Sequence, residues 1–153
     1  LTNTGRDRTI TTNRRARHDY DILDTLEAGL VLTGTEIKSI RAGRVNLSDA
    51  HARPENGEMW LHNAHIGEYS AGNLNNHEPK RARKMLLRRD QITDLTKQVS
   101  ERGLALVPLK LYIRGGYAKV ELAVARGRKR FDKRRAIIDR EREREARDAI
   151  KTR

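Results

Sequence analysis

The stretch Val107-Pro108-Leu109-Lys110-Leu111-Tyr112-Ile113-Arg114-Gly115-Gly116-Tyr117-Ala118-Lys119-Val120-Glu121-Leu122-Ala123-Val124 decides the fold class. Val107, Leu109, Leu111 and Ile113 alternate with Pro108, Lys110, Tyr112 and Arg114. A period of two puts successive side chains on opposite faces of a strand. Gly115-Gly116 supplies a two-residue turn, because glycine tolerates the positive φ that such turns need. The return strand then places Val120, Leu122 and Val124 inward, with Tyr117, Lys119 and Glu121 outward. Tyr112 and Tyr117 form the outward aromatic pair.

Upstream, residues 19–33 alternate in the same way. Tyr20, Ile22, Leu26, Ala28, Leu30 and Leu32 share one parity, which predicts a long strand or bent ribbon. Thr33-Gly-Thr-Glu36 predicts a capping box, in which the Thr side chain and the Glu three residues on satisfy each other's backbone N–H groups. The short helix that follows carries Ile37 and Ile40 and stops at Gly43. Strands are expected at 45–53 and 58–66, joined by the Pro-Glu-Asn-Gly turn at 54–57. Asp90 is expected to cap a helix with Ile92, Leu95 and Val99 on one stripe and Gly103 as its stop. Beyond Gly127 the apolar period ends. The run 139–147 (DREREREAR) admits the i, i+4 pair Glu143–Arg147 but has too little apolar surface to pack alone.

These elements predict a mainly β protein: a closed antiparallel barrel of oligonucleotide-binding (OB-like) type, with two or three short helices and a basic C-terminal tail. The expected organisation is a flexible basic N-terminus over 1–12, an RNA-binding barrel over 13–127, and a tail over 128–153 that is disordered or marginally helical until bound. The 153 residues suit one core.

Thirty-three Lys+Arg against 21 Asp+Glu give a formal charge of +12. The charge is segregated: residues 1–18 carry +4, 80–89 (KRARKMLLRR) carry +6, and 126–153 carry +7. The remaining body is acidic, and segregation of this kind points to phosphate-contacting patches. Cysteine is absent, which excludes a thiolate metal site and a cysteine nucleophile. No apolar run approaches the roughly 20 residues of a membrane span. Composition thus points to a soluble, basic, cytoplasmic protein with a polyanionic partner.

Catalytic readings are poor. Asp19, Asp21 and Glu27 share a strand parity but have no Gly-rich phosphate loop beside them. His62 and His65, three apart on a strand, point to opposite faces and cannot share an ion. No Ser lies in a nucleophile-elbow context. Neither an enzyme, a metal nor a cofactor is expected. Within 80–89, Lys84, Leu86 and Arg88 share one parity and Met85 and Leu87 the other, so one side presents cations while the other packs. Aromatic content is 4%, too low for a platform of stacked bases, so structured RNA read by backbone and shape is the better partner. Trp60 reads as half-buried packing.

Several motifs in unbroken order carry a resemblance. Asn13-Arg14-Arg15-Ala16-Arg17-His18-Asp19-Tyr20, Glu27-Ala28-Gly29, Gly34-Thr35-Glu36-Ile37-Lys38-Ser39 and Asn46-Leu47-Ser48-Asp49 are followed by Arg83-Lys84-Met85-Leu86-Leu87, Val107-Pro108-Leu109, Lys119-Val120-Glu121, Ala125-Arg126-Gly127 and Asp132-Lys133-Arg134. This series resembles the small protein B family, the SsrA-binding proteins. The resemblance implies a barrel that binds the tRNA-like domain of transfer-messenger RNA and delivers it to stalled ribosomes for trans-translation. The tail would enter the empty mRNA path and the decoding centre. It further implies no catalysis and no cofactor, a monomer, and an indirect link to elongation factor Tu.

By position, the resemblance implies an RNA-binding set of Asn13, Arg15, Arg17, His18, Glu27, Arg83, Lys84, Leu86, Arg88, Lys119 and Arg126. It implies a ribosome-binding set of Arg128, Lys129, Arg130, Phe131, Asp132, Lys133, Arg134 and Ile150. Arg88 stands where members often carry a smaller polar residue or His, and Phe131 where His or Tyr is common. The alternative is a basic ribosomal or ribosome-associated RNA-binding protein, which would share the composition, barrel and tail.

Overall fold

The computed structural model describes residues 7–69, 76–128 and 140–147. In chain order the elements are β1 (Arg8–Thr12), α1 (Arg14–Asp19), β2 (Tyr20–Leu30), α2 (Gly34–Arg41), β3 (Val45–Asn46), β4 (His51–Glu55), β5 (Glu58–His62), β6 (His65–Ile66), β7 (Arg83–Leu86), α3 (Arg89–Arg102), β8 (Ala105–Arg114) and β9 (Tyr117–Gly127). Residues 140–147 are also helical. The protein is mainly β with a few helices. Pairing runs β8-β4-β5-β7-β2-β9 and returns from β9 to β8, while β1 adds to β8 and β3 pairs separately with β6. A single register pair, Ala52 opposite Leu106, joins β4 to β8.

The β8–β9 hairpin forms as its turn chemistry demands: Arg114 faces Tyr117 across Gly115 (φ 58°) and Gly116 (φ 82°). β9 alternates cleanly, with Val120, Leu122 and Val124 in the main core and Ala123 and Ala125 in a second, smaller cluster. Both neighbours bulge against it, β2 between Ile22 and Asp24 and β8 between Pro108 and Lys110. One extra residue reverses the face that later side chains take. Leu26, Ala28, Leu30, Leu111 and Ile113 therefore pack with the main core, whereas Tyr20, Ile22, Val107 and Leu109 pack on the opposite face with Ala16 of α1. This corrects the expectation that each alternating run keeps to one face. Sequence parity was right locally, and the bulges reset it.

Bulged carbonyls need partners, and Asn13 supplies them. Its backbone N–H donates to Leu109 O at 2.7 Å. Its Nδ2 donates to Pro108 O and to Leu47 O, each at 2.9 Å, and its Oδ1 accepts from Ala16 N–H at 3.2 Å, capping α1. The boundaries at this end move accordingly. Residues 8–12, expected to be flexible, pair as β1 with β8, and Asp19 closes α1 instead of opening a ribbon.

The Thr33–Glu36 capping box is present, with Thr33 N–H donating to Glu36 Oε1 at 2.8 Å and Glu36 N–H to Thr33 Oγ1 at 3.3 Å. The strands expected at 45–53 and 58–66 are each broken in two. Asn46 Oδ1 accepts from Ser48 N–H at 2.8 Å, which turns the chain out of β3, and Asn63 takes a positive φ of 60°. Pro54 lies within β4, and the turn is the pair Asn56-Gly57, with φ of 52° and 77°. α3 is capped at Arg88 and not at Asp90: Arg88 N–H donates to the Gln91 side chain at 2.9 Å. Asp90 sits in the first turn, where a carboxylate complements the helix N-terminus. Ile92 and Leu95 are buried, and Gly103 ends the helix in the left-handed region at φ 64°. Among the described residues no helix is long and apolar enough to cross a membrane.

Candidate nucleic-acid interface

Register brings four strands together on the face opposite the main core. Leu86 of β7 lies beside Gly29 of β2, Gly29 beside Lys119 of β9, and Lys119 beside Tyr112 of β8. Glu27, two residues before Gly29, shares that face, as does Lys84, two before Leu86. A Cβ at position 29 would sit 3.4 Å from the Leu86 side chain, so Leu86 lies directly alongside Gly29. Leu86 is 55% exposed and Tyr117 72%, unusual for residues of their size. With Val31, Ile37 and Lys119 they line a groove of about 320 Å³.

The electrostatics of this face centre on Glu27. Arg114 Nη1 donates to its Oε2 at 2.5 Å, and Lys119 Nζ lies 3.9 Å from its Oε1. Arg114 also grips Asp7 through Nε and Nη2, at 2.7 and 2.9 Å. Those bonds hold the Asp7 carboxyl below its ordinary value. Beneath them Tyr112 is buried, and burial together with its hydrogen bond to Glu27 pushes its hydroxyl well above the usual phenol range. The Tyr112 ring lies under Lys110 at 5.2 Å and Arg114 at 5.5 Å. Tyr112 is thus a buried support and not half of an outward stacking pair; Tyr117 alone of the two is free to stack.

A second group occupies the other end of the same face, on α1. Arg15, Arg17 and His18 are exposed there. Arg15 pairs with Asp49 at 2.9 Å and Asp19 at 3.5 Å, and His18 Nδ1 lies 2.9 Å from Asp19. Arg15 and Asp19 border a cleft of about 260 Å³ between α1 and the segment Ser48–His51. Arg126, opposite Asp21, is exposed near the end of β9. Arg88 is exposed and pairs with Asp90 at 3.1 Å. Lys84 pairs with Glu58 at 3.5 Å and stands beside the half-buried Trp60.

Two residues of the expected RNA-binding set are engaged within the fold. Asn13, 3% exposed, spends its side chain on the β8 bulge and the α1 cap. Arg83 is wholly buried: Nε donates to Glu36 Oε2 at 2.6 Å, Nη1 to Ala64 O at 2.5 Å and Nη2 to Pro79 O at 3.0 Å. Arg81 donates to the other Glu36 oxygen at 2.5 Å, so two cations of the 80–89 block are engaged inside the protein. Burial pushes the Glu36 carboxyl up, but donors from Arg81, Thr33 and Arg83 outweigh it and hold the group below its ordinary value. Sequence reasoning missed Arg114 as a site residue, although it shares outward parity with Lys119 across the Gly-Gly turn.

Asp19, Asp21 and Glu27 do not line one strand face: Asp19 ends α1, Asp21 accepts from Arg128 Nε at 2.9 Å, and Glu27 accepts from Arg114. Among the described residues no group of His, Asp and Glu could hold a metal ion. Arg128, expected to open the tail, is tied down by that bond and by its N–H donating to Asp19 O at 2.9 Å, so the folded part extends to 128. Residues 140–147 are helical and exposed, with the expected Glu143–Arg147 pair at 3.6 Å. Lys129, Arg130, Phe131, Asp132, Lys133, Arg134 and Ile150 lie outside the described residues.

Comparison with known proteins bears on this surface. The family model described as "SmpB protein" matches residues 10–152. An SsrA-binding protein of Thermobifida fusca (strain YX) is 57% identical over 146 residues, 95% of this chain and 91% of the relative. Another, from Frankia casuarinae, is 59% identical over 142 residues, 93% of this chain and 89% of the relative. A solved chain from "tmRNA-SmpB: a journey to the center of the bacterial ribosome" superposes with a TM-score of 0.68 at 48% identity, covering 83% of this chain and 93% of that one.

Proposed function

The chain belongs to the SmpB family, and from that premise we propose that it binds the tRNA-like domain of transfer-messenger RNA and carries it to stalled ribosomes for trans-translation. The observation that carries this reading is the convergence of Glu27, Leu86 and Lys119 from three strands onto one exposed face. Basic side chains there and on α1 supply sequence-independent attraction to phosphate. Glu27 supplies discrimination: a carboxylate repels phosphate but accepts from base amino and imino groups. Exposed Leu86 and Tyr117 offer apolar and stacking surface to an unpaired base.

In this reading the strand circuit is a closed barrel of oligonucleotide-binding type, and residues after Arg128 form the ribosome-directed part. Lys129, Phe131, Asp132, Lys133 and Arg134 would follow the empty mRNA path. Elongation factor Tu is met through the RNA. The chain acts as an adaptor and supplies no catalytic group. Sequencing the RNA that co-purifies with the tagged protein tests the reading: one abundant small RNA is the expected outcome, and ribosomal RNA alone would overturn it. Truncation after Arg128 separates the two halves. RNA affinity should survive while rescue of stalled ribosomes is lost; a matching collapse of RNA affinity would place the tail in the RNA site instead.

A further inference from the structure

Arg114 stands on the proposed RNA face with its fork already filled by a carboxylate. Nε and Nη2 donate to the two oxygens of Asp7, the parallel two-bond geometry that a guanidinium also makes with two phosphate oxygens. Asp7 immediately precedes Arg8, the first residue that β1 pairs with β8. The Arg114 side chain is 44% exposed and that of Asp7 30%, so water reaches both partners. Solvent at both partners screens their attraction, so a competing anion that offers the same two-oxygen geometry can exchange with the carboxylate.

Arg114 does not depend on Asp7 for its position. Glu27 accepts from Nη1, and the guanidinium lies over the Tyr112 ring at 5.5 Å. Lys110 also caps that ring, and Lys119 reaches Glu27 from the other side. If Asp7 left, Arg114 would keep its bond to Glu27 and its place over the Tyr112 ring, opposite Tyr117 in the hairpin, with Nε and Nη2 free to donate to another anion. Lys110 and Lys119, each 3.9 Å from a carboxylate of its own, Glu121 and Glu27, add positive charge around a guanidinium fork that can take one backbone phosphate.

The geometry points to Arg114 as a phosphate-binding residue of the RNA site, with Asp7 as an internal stand-in for that phosphate, displaced when RNA docks. The inference rests on the functional reading above and deepens it. Free protein keeps Arg114 paired and so discourages weak polyanion contacts. Only a partner that engages the whole face displaces the carboxylate. Asp7 thereby raises the threshold for nonspecific binding, a role that complements discrimination by Glu27.

A double-mutant cycle tests the idea, with affinity measured for the tRNA-like domain of transfer-messenger RNA at fixed salt. Asp7→Asn should tighten binding about threefold, because a competitor is removed. Arg114→Gln should weaken it about tenfold through loss of a charge-assisted fork. In the Arg114→Gln background, Asp7→Asn should change affinity by less than about 1.5-fold, since only general charge repulsion then remains. Arg114→Lys keeps the charge without the fork and should fall between wild type and Arg114→Gln. Thermal unfolding of each variant reports separately on any anchoring role of the pair. An Asp7→Asn effect of equal size in both backgrounds, no effect, or weaker binding would overturn the stand-in role. Failure of the unaltered chain to prefer this RNA over an unrelated tRNA would instead overturn the functional reading itself, and the inference with it.

Discussion

Glu36 and Glu27 each hold two cations, yet their side chains are 0% and 34% exposed. The first binds Arg81 and Arg83 between α2 and β7; the second binds Arg114 and Lys119 on the outer face. Inside the protein, every lone pair and N–H must be matched, because an unpaired buried charge is far costlier than the pair is favourable. Both Glu36 oxygens are bound and Ala64 O and Pro79 O take the remaining Arg83 donors, which leaves the buried Arg81 Nε as the one group of the network without a hydrogen bond among the described residues. At the surface the same chemistry is cheap to rearrange and open to a partner. One network fixes how the basic segment enters β7, and so where Lys84 and Leu86 point. The other is what RNA would meet.

The largest expected effect comes from breaking the buried member. Glu36→Gln leaves Arg81 and Arg83 without their counter-charge and should cost about 3–5 kcal/mol in urea unfolding. RNA affinity of the molecules that remain folded should change little. The network also makes an acid signature. Glu36 is held below its ordinary 4.5, so its contribution is complete above that value and is lost as pH falls through the lower folded value. Unfolding free energy measured downward from about pH 6 should fall less steeply in Glu36→Gln than in wild type. A steeper fall in the variant would contradict this account of the pair.

Asn13 sharpens the same contrast. Asn13→Ala removes the α1 cap and the donors to Pro108 O and Leu47 O, and should cost about 1–3 kcal/mol in thermal unfolding. Its RNA affinity, measured well below the transition, should stay within about twofold of wild type if the side chain is structural. A selective loss of RNA binding without destabilisation would restore Asn13 to the interface. Leu86→Ala is the mirror image. Being exposed, it should leave stability within about 0.5 kcal/mol. Affinity for the RNA should fall about tenfold, if the side chain is buried on binding.

Local chemistry was legible in the sequence wherever neighbours in the chain decide it. The Gly115-Gly116 turn, the Thr33–Glu36 box and the Gly103 stop each depend on a few adjacent residues, and each formed as read. The bulges were not legible, because they arise from how β2 and β8 fit against β9, far away in sequence. Nor was the burial of Arg83. In a run of six cations without an acid it looks like surface, and its partner Glu36 lies 47 positions earlier. The bonds of Asn13 were not legible for a related reason: Pro108 O and Leu47 O, which its side chain meets, lie far along the chain. Glu27, Lys84, Leu86 and Lys119 share one face, because outward parity survives on the stretches of β2, β7 and β9 that carry no bulge.

The central claim is that the exposed network reads RNA, with Glu27 giving selectivity. The most direct measurement compares Glu27→Gln with wild type for affinity to the tRNA-like domain of transfer-messenger RNA and to an unrelated tRNA. The account predicts about a tenfold loss for the first and less than about twofold for the second. Equal losses on both RNAs, or no loss on either, would contradict it.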